Sequence, residues 1–340
     1  MTDATNRQIV LKRRPVGAPT LEDFGLVAGP VPRPDEGDVL CRTIYLSLDP
    51  YMRGRMNEGR SYARPVDLGQ VMVGGTVSQV VESRHPGVAP GAFVLGSHGW
   101  QEYAVAPGSA LRTLDPREAP ISTALGVLGM PGLTAYVGLL DIGRPRPGET
   151  VVVSAAAGAV GSIVGQIAKI KGCRAVGVAG SPDKCRYVVQ ELGFDACVSH
   201  RTEDLVGALR EACPAGIDVY FENVGGAVLA AVLRLLNRGA RIPLCGLVSQ
   251  YNANPLPPGP NPAPLLVNRA LIQGFIVSDH ADRTPDFLRE CAAWVRDGRL
   301  RYREDIVDGL AEAPRAFIGL LEGRNVGKLL VRVSGDPTRR

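Results

Sequence analysis

Chemistry concentrates where an apolar β-branched run gives way to small residues: Val151-Val152-Val153-Ser154-Ala155-Ala156-Ala157-Gly158-Ala159-Val160-Gly161. Beyond it Ile163, Val164, Ile167 and Ile170 recur at helical spacing, so the stretch reads as buried strand, tight turn and helix. Such a turn is a place to hold an anion. Small residues let the backbone approach a pyrophosphate, the helix N-terminus offers its free N–H groups, and Gly161 lets the helix lie close to the strand. The pattern is A-x-G-x-x-G, with Ala156 where a first glycine would stand, so the strand-to-helix context carries the reading. The alternative is an ordinary βα turn whose small residues serve packing alone.

About twenty residues further on, an enzyme that uses NAD places an Asp or Glu on the ribose hydroxyls. Here the second strand ends Val178-Ala179-Gly180-Ser181, without an acid, and Lys184 follows in the next turn. An acid there would repel a second phosphate that Ser181 and Lys184 can bind, so NADP(H) is favoured. The other fate of Lys184 is a solvated helix lysine.

The elements that must position these residues follow from the whole chain. At 340 residues it exceeds one compact core of ordinary size, so two domains are expected. The net charge of +4 is small and dispersed, which argues against nucleic acid as a partner. Met1 to Arg14 is polar and basic, no run approaches a membrane span, and the expected compartment is the cytoplasm. The seven cysteines (41, 173, 185, 197, 213, 245, 291) form no C-x-x-C pair and no cluster with His85, His98, His200 and His280. That scatter fits reduced, mostly buried thiols, and the converging ligands of a zinc site are missing, so no metal is expected.

From Gln8 to about Leu128 the chain is rich in Val, Gly and Pro in short pieces, with strands expected at 39–46, 71–81, 92–95 and 101–105. A helix is expected over 125–140, and Arg144-Pro145-Arg146-Pro147-Gly148 turns into the opening strand. The pattern then alternates: strand 174–178, helix 183–192, strand 196–198, helix 204–212, strand 217–221, helix 227–236, strand 240–244. Repeated βα units imply a parallel, doubly wound sheet. A Pro- and Asn-rich loop runs over 251–264, and a strand is expected at 272–277. A helix at 286–296 should turn Leu288 and Trp294 inward, and a late strand at 330–333 should return to the first domain. The fold class is thus α/β, with a β-rich domain (1–127 and 297–340) split around an inserted Rossmann domain (128–296).

Several stretches taken together resemble the medium-chain dehydrogenase/reductase family. They are Tyr45-Leu46-Ser47-Leu48-Asp49-Pro50-Tyr51-Met52-Arg53-Gly54-Arg55-Met56, Val71-Met72-Val73-Gly74-Gly75-Thr76-Val77, and Leu128-Gly129-Met130-Pro131-Gly132-Leu133-Thr134-Ala135-Tyr136. The glycine turn, Phe221-Glu222-Asn223-Val224-Gly225-Gly226, Cys245-Gly246-Leu247-Val248-Ser249-Gln250-Tyr251-Asn252 and Asn325-Val326-Gly327-Lys328 complete the set, in the family's order over nearly the whole chain. Within it the chain resembles the zinc-independent branch of prostaglandin reductases, leukotriene dehydrogenases, double-bond reductases and bacterial NADPH-dependent curcumin reductases. The resemblance implies a GroES-like catalytic domain and a homodimer. It implies NADPH contacts at Gly158, Ala159, Val160, Gly161, Lys184, Asn223, Cys245, Gly246, Leu247, Val248, Ser249, Tyr251, Phe275, Ile276, Val277 and Asn325. The family often has Tyr where His200 stands, which leaves His200 or Arg201 as the contact to the adenosine phosphate. Zinc-dependent relatives carry a Cys-His pair where this chain has Leu48-Asp49-Pro50.

Without a metal, hydride from NADPH must go to a carbon that is already electrophilic, such as the β carbon of an α,β-unsaturated ketone or aldehyde. The site then needs a hydrogen-bond donor for the developing enolate oxygen and a proton for the α carbon. Tyr251 is the first candidate, since it lies beyond a strand end at the carboxyl edge of the sheet; its alternative is an aromatic cover over the nicotinamide. Tyr51 and Tyr62 are candidates from the first domain, Tyr62 equally a half-buried loop aromatic. Arg53 steers a polar substrate or pairs with Asp49 or Glu58, Cys245 is structural, and Trp100 and Met56 are pocket wall or core. The rival activities are quinone reduction, oxidation of a secondary alcohol, and NADP(H) binding without turnover, as in a redox sensor.

Overall fold

The computed structural model describes residues 5–59 and 61–339, so the first four residues of the polar amino-terminal stretch lie outside it. The chain divides into two compact units: Met1–Gly126, Glu304–Asn325 and Leu329–Arg340; and Val127–Arg303 with Val326–Lys328.

The first unit is built from short strands because its sequence is cut every few residues by Pro and Gly. β1 (Thr5–Leu11) and β2 (Phe24–Pro30) form an antiparallel pair with Leu11 opposite Phe24. β3 (Asp38–Ser47) is almost wholly buried and leads into the short α1 (Tyr51–Arg55). β4 (Thr76–Ser83), β5 (Phe93–Gly96), β6 (Tyr103–Pro107) and β7 (Arg112–Leu114) follow. The expected strand at 71–81 begins only at Thr76, since Gly74 and Gly75 precede it and Val71 makes a lone bridge to Val10.

In the second unit an α-helix begins at Met130, not at Leu125: residues Ile121–Leu125 form a 3-10 turn before it. This α2 (Met130–Val137) runs on into a wider turn over Gly138–Gly143. The βα alternation is then as the sequence implies: β8 (Thr150–Ser154), α3 (Gly161–Ile170), β9 (Arg174–Ala179), α4 (Pro182–Gln190), β10 (Ala196–Ser199), α5 (Leu205–Ala212), β11 (Ile217–Phe221) and α6 (Gly226–Leu233). β12 (Leu236–Leu244) starts four residues earlier than expected, continuing through Gly239 at φ 76°. α7 (Ala263–Asn268) forms at the end of the Pro-rich loop, and β13 (Leu271–Gly274) ends before Phe275, so the expected strand at 272–277 is shorter and Phe275–Val277 lie beyond it. In α8 (Thr284–Arg296) the buried residues are Phe287, Cys291 and Trp294, spaced i, i+4, i+7; Leu288 is only partly covered.

The six strands are parallel in the order β10-β9-β8-β11-β12-β13. The order reverses between β8 and β11, which opens a crevice at their carboxyl ends. The helices between the parallel strands cover the sheet, hence the wholly buried, apolar Val151–Val153.

After the second unit come β14 (Glu304–Asp308), α9 (Ala313–Leu321) and β15 (Lys328–Arg332). β15 pairs antiparallel with β3, Leu330 opposite Ser47, in a seven-stranded sheet ordered β14-β15-β3-β4-β5-β7 with β6 on β3. α9 brings Phe317 to Trp100 (centroids 5.6 Å apart), and Trp100 stacks on Phe24 at 5.6 Å. Trp100 and Met56 are therefore core of the first unit.

Candidate active site

At the β8–α3 turn Ala155 takes φ 52°, and a side chain at position 161 would run into the Ala155 carbonyl, so only glycine lets α3 start there. Gly158 donates to the Ala155 oxygen (2.9 Å), while the amides of Ala159 and Val160 have no partner among the described residues. With α3 beginning at Gly161, the positive end of the helix lies just after the carboxyl end of β8. The carbonyl of Ala157 accepts the Gly327 amide at 2.7 Å, and Gly327 bridges to Gly158, so the turn is tied down from the far end of the chain. Asn325 lies two residues earlier, in the first unit, before β15.

The carboxyl ends of β9 and β10 gather a second set. Ser181 caps α4, its hydroxyl accepting the Lys184 amide at 3.3 Å. A Cβ on Gly180 would lie 3.3 Å from His200 Nε2, so the imidazole stands over the end of β9. Burial lowers the His200 pKa, and the charges of Arg201 and then Lys184 lower it further, which favours the neutral imidazole. The carboxyl ends of β9 and β10 thus carry Ser181, Lys184, His200 and Arg201, two of them cationic.

The ends of β8, β11 and β12 interlock instead by buried hydrogen bonds. The Asn223 amide donates to the Ser154 hydroxyl and its side chain to the Ser154 carbonyl, both at 2.8 Å. Ser154 donates in turn to the Glu222 carboxyl at 2.9 Å, and the Val224 amide donates to the same oxygen at 2.6 Å. Burial pushes the Glu222 carboxyl above the usual glutamate range, against the pull of the Val224 and Gly225 amides and the Ser154 hydroxyl. Sequence reasoning passed over Glu222 and Ser154. An acid directly after the apolar Val219-Tyr220-Phe221 was the available signal.

The loop 245–251 is laid along this turn. Cys245 and Gly246 donate to the Glu222 carbonyl (2.9 and 3.1 Å), Val248 to that of Asn223 (3.1 Å), and Ser249 to that of Val224 (3.0 Å). Leu247 precedes the 3-10 turn Val248–Gln250 that carries Tyr251. The Tyr251 hydroxyl folds back on its own loop, 3.1 Å from where a Cβ of Gly246 would stand. Burial, aided by Glu222, pushes the Cys245 thiol up to about 12, so it is a neutral wall and no nucleophile. Phe275 packs edge-on against Phe221 (centroids 6.2 Å apart), and Ile276 and Val277 follow it at the end of β13, half-buried.

In the first unit Tyr51 opens α1, and burial, with Asp49 and Tyr62 adding, holds its phenol above its ordinary pKa. Tyr51 and Tyr62 are therefore neighbours, although Tyr62 is 61 % exposed. Arg53 is buried and donates to Asn57 (2.5 Å) and the Gly17 carbonyl (2.7 Å), while Glu58 is held by Arg14 at 2.9 Å. These contacts make Arg53 a structural residue.

Among the described residues no three His, Cys, Asp or Glu side chains come together to hold a metal ion. The chain matches two family models: an N-terminal domain of oxidoreductase over residues 7–114, and a model described as zinc-binding dehydrogenase over residues 159–293. The donor set among the described residues does not fit the zinc of that description. The chain is 56 % identical to the NADPH-dependent curcumin reductase of Escherichia coli (strain K12), over 97 % of this chain and 98 % of the relative. It is 41 % identical to the 2-alkenal reductase (NADP(+)-dependent) of Nicotiana tabacum, over 98 % and 99 %. The crystal structure of CurA from Vibrio vulnificus in complex with NADPH superposes with a TM-score of 0.94 at 53 % identity, covering 97 % of this chain and 100 % of that one.

Proposed function

The chain belongs to the medium-chain dehydrogenase/reductase family and is an NADPH-dependent reductase of conjugated carbon–carbon double bonds; from that premise we propose which of its residues do the work and on what. When bound, NADPH supplies a hydride to the β carbon of an α,β-unsaturated ketone or aldehyde. Gly158, Ala159, Val160 and Gly161 hold the pyrophosphate on the amides of the β8–α3 turn. Ser181 and Lys184, with His200 and Arg201, hold the 2′-phosphate. The observation that carries this reading is that cluster, since a cationic group with no acid at the end of β9 is suited to NADPH and not to NADH.

Asn223, Cys245–Ser249, Phe275–Val277 and Asn325 are the proposed contacts to the nicotinamide half. Tyr251 is the proposed donor to the carbonyl oxygen, where negative charge develops, with Tyr51 and Tyr62 the candidates of the first unit. A neutral phenol suits that task, and Tyr51 is kept neutral by burial. The proposed substrates are enones, alkenals and curcumin-like diketones. The test is NADPH consumption with an enal, an enone, curcumin and a quinone. Rapid consumption with the conjugated carbonyls supports the proposal, whereas turnover of the quinone alone, or of a secondary alcohol with NADP⁺ alone, overturns it.

The proposed assembly is a cytoplasmic homodimer. No helix among the described residues is long and apolar enough to cross a membrane, and all seven cysteines are free thiols. β13 is an edge strand with Leu271 and Ile272 exposed, beside Leu266 of α7, which is 81 % exposed. An uncovered apolar edge is suited to the same edge of a second copy. Ile272→Lys should halve the mass in sedimentation; an unchanged mass for the variant, or a monomeric wild-type protein, contradicts that interface.

A further inference from the structure

Cys185 sits in the first half of α4 and Cys197 in β10, and the Cys197 thiol donates to the Cys185 sulfur at 3.0 Å. Both are partly exposed, as is Cys245, whereas Cys41, Cys173, Cys213 and Cys291 are buried. A disulfide needs its sulfurs about 2.05 Å apart, so an approach of about 1 Å closes the bond. We propose that Cys185 and Cys197 are an oxidation site, forming a reversible disulfide that loosens the chain's hold on the 2′-phosphate of NADPH.

The two sulfurs are continuous with both halves of the cationic cluster. Cys185 directly follows Lys184, and its amide donates to the Ser181 carbonyl at 3.0 Å. Cys197 lies three residues before His200, whose amide is fixed to the Ala179 carbonyl at 3.0 Å. Drawing the sulfurs together pulls the first turn of α4 toward β10 and displaces Ser181 and Lys184 from the phosphate. Hydrogen bonding from Cys197 also lowers the Cys185 pKa, which favours its thiolate as the attacking group.

The oxidant is hydrogen peroxide. The Cys185 thiolate attacks one peroxide oxygen, the O–O bond breaks, and the other oxygen leaves as hydroxide and becomes water on taking up a proton. Cys185 is then a sulfenic acid. The Cys197 sulfur attacks the Cys185 sulfur, the S–S bond forms, and the sulfenic oxygen leaves as a second water, taking the Cys197 proton. Two thiols lose two electrons and two protons in all, and one peroxide is reduced to two waters.

This rests on Ser181 and Lys184 binding the 2′-phosphate, so the experiment separates the two ideas. The full-length protein is treated with hydrogen peroxide, the bond is located by peptide mass mapping, and Kd values for NADPH and NADH are measured before and after a thiol reductant. The expected result is a Cys185–Cys197 bond, a rise of roughly fivefold or more in the NADPH Kd with NADH unmoved, and full recovery on reduction. Cys197→Ser should keep its NADPH affinity through the same treatment. Absence of that bond, or a bond that leaves the NADPH Kd unchanged, overturns the proposal. Reduced Lys184→Ala with wild-type NADPH affinity would instead overturn the phosphate reading, whatever the sulfurs do.

Discussion

Two clusters on the carboxyl edge of the same parallel sheet are built in opposite ways. At β9 and β10 the proposed phosphate contacts are side chains near solvent, Ser181, Lys184, His200 and Arg201, at or just after a strand end or helix start. At β8, β11 and β12 it falls to buried backbone and one buried carboxyl, with Ser154, Glu222 and Asn223 tying the loop 245–251 to the sheet. The first kind of site can choose between cofactors without altering the fold. The second fixes geometry, and cannot be changed without loosening the strands it joins.

Breaking the buried cluster should have the largest effect. Glu222→Ala strips the Ser154 hydroxyl and the Val224 amide of their shared acceptor, and each buried unsatisfied group costs about 1–3 kcal/mol. A fall of about 2–5 kcal/mol in stability is expected from urea unfolding, together with a loss of turnover. An unchanged urea midpoint would mean that the carboxyl ties nothing together.

Lys184→Ala should act on affinity alone. A charge-assisted hydrogen bond is worth about 1.5–3 kcal/mol, so the NADPH Kd should rise roughly tenfold to 150-fold, with the NADH Kd and the melting temperature little changed. Equal losses for both cofactors would erase the contrast between the clusters.

Tyr251→Phe sharpens the inner cluster. If the hydroxyl stabilises the enolate oxygen, kcat should fall roughly tenfold to a hundredfold while the KM for NADPH stays put. If the ring only covers the nicotinamide, Phe preserves that cover and both kcat and the KM for NADPH survive.

The smallest effect is a pH dependence. Glu222 has a folded pKa above the ordinary 4.5, so its favourable contribution is complete below that value and is lost as the pH rises through the folded pKa. Glu222→Gln lacks this titration. Relative to the variant, the wild-type protein should lose stability above pH 4.5 by at most about 1.4 kcal/mol per pH unit; a flat difference from pH 4 to 8 would show that the carboxyl titrates normally.

The strand end and helix start that carry the proposed outer cluster were legible in the sequence. Ser181 and Lys184 lie at a fixed distance from the glycine turn in a βα repeat, and the repeat declares itself through apolar runs of strand length alternating with amphipathic ones. The inner cluster was legible only as a motif. Ser154 and Glu222 are 68 residues apart and meet because β8 and β11 pair, a neighbourhood set by the order reversal and not by spacing. Cys185 and Cys197 likewise come together through packing of α4 on β10. In the first unit, β1, β2, β14 and α9 left weak traces because Gly25, Gly29 and Pro30 blur one strand and Pro314 opens a helix only nine residues long. Phe287 in place of Leu288 as the buried residue of α8 is a one-residue error of helical phase, which only a packed partner such as Tyr136 resolves.

The most direct test of the account is the initial rate of oxidation of NADPH and of NADH by one enone, with wild-type protein and Lys184→Ala, each with and without a chelator. The account predicts fast NADPH consumption by the wild-type protein, slow NADH consumption, a variant that loses only the NADPH advantage, and rates indifferent to the chelator. NADH used as well as NADPH by the wild-type protein, or activity abolished by the chelator, would contradict it.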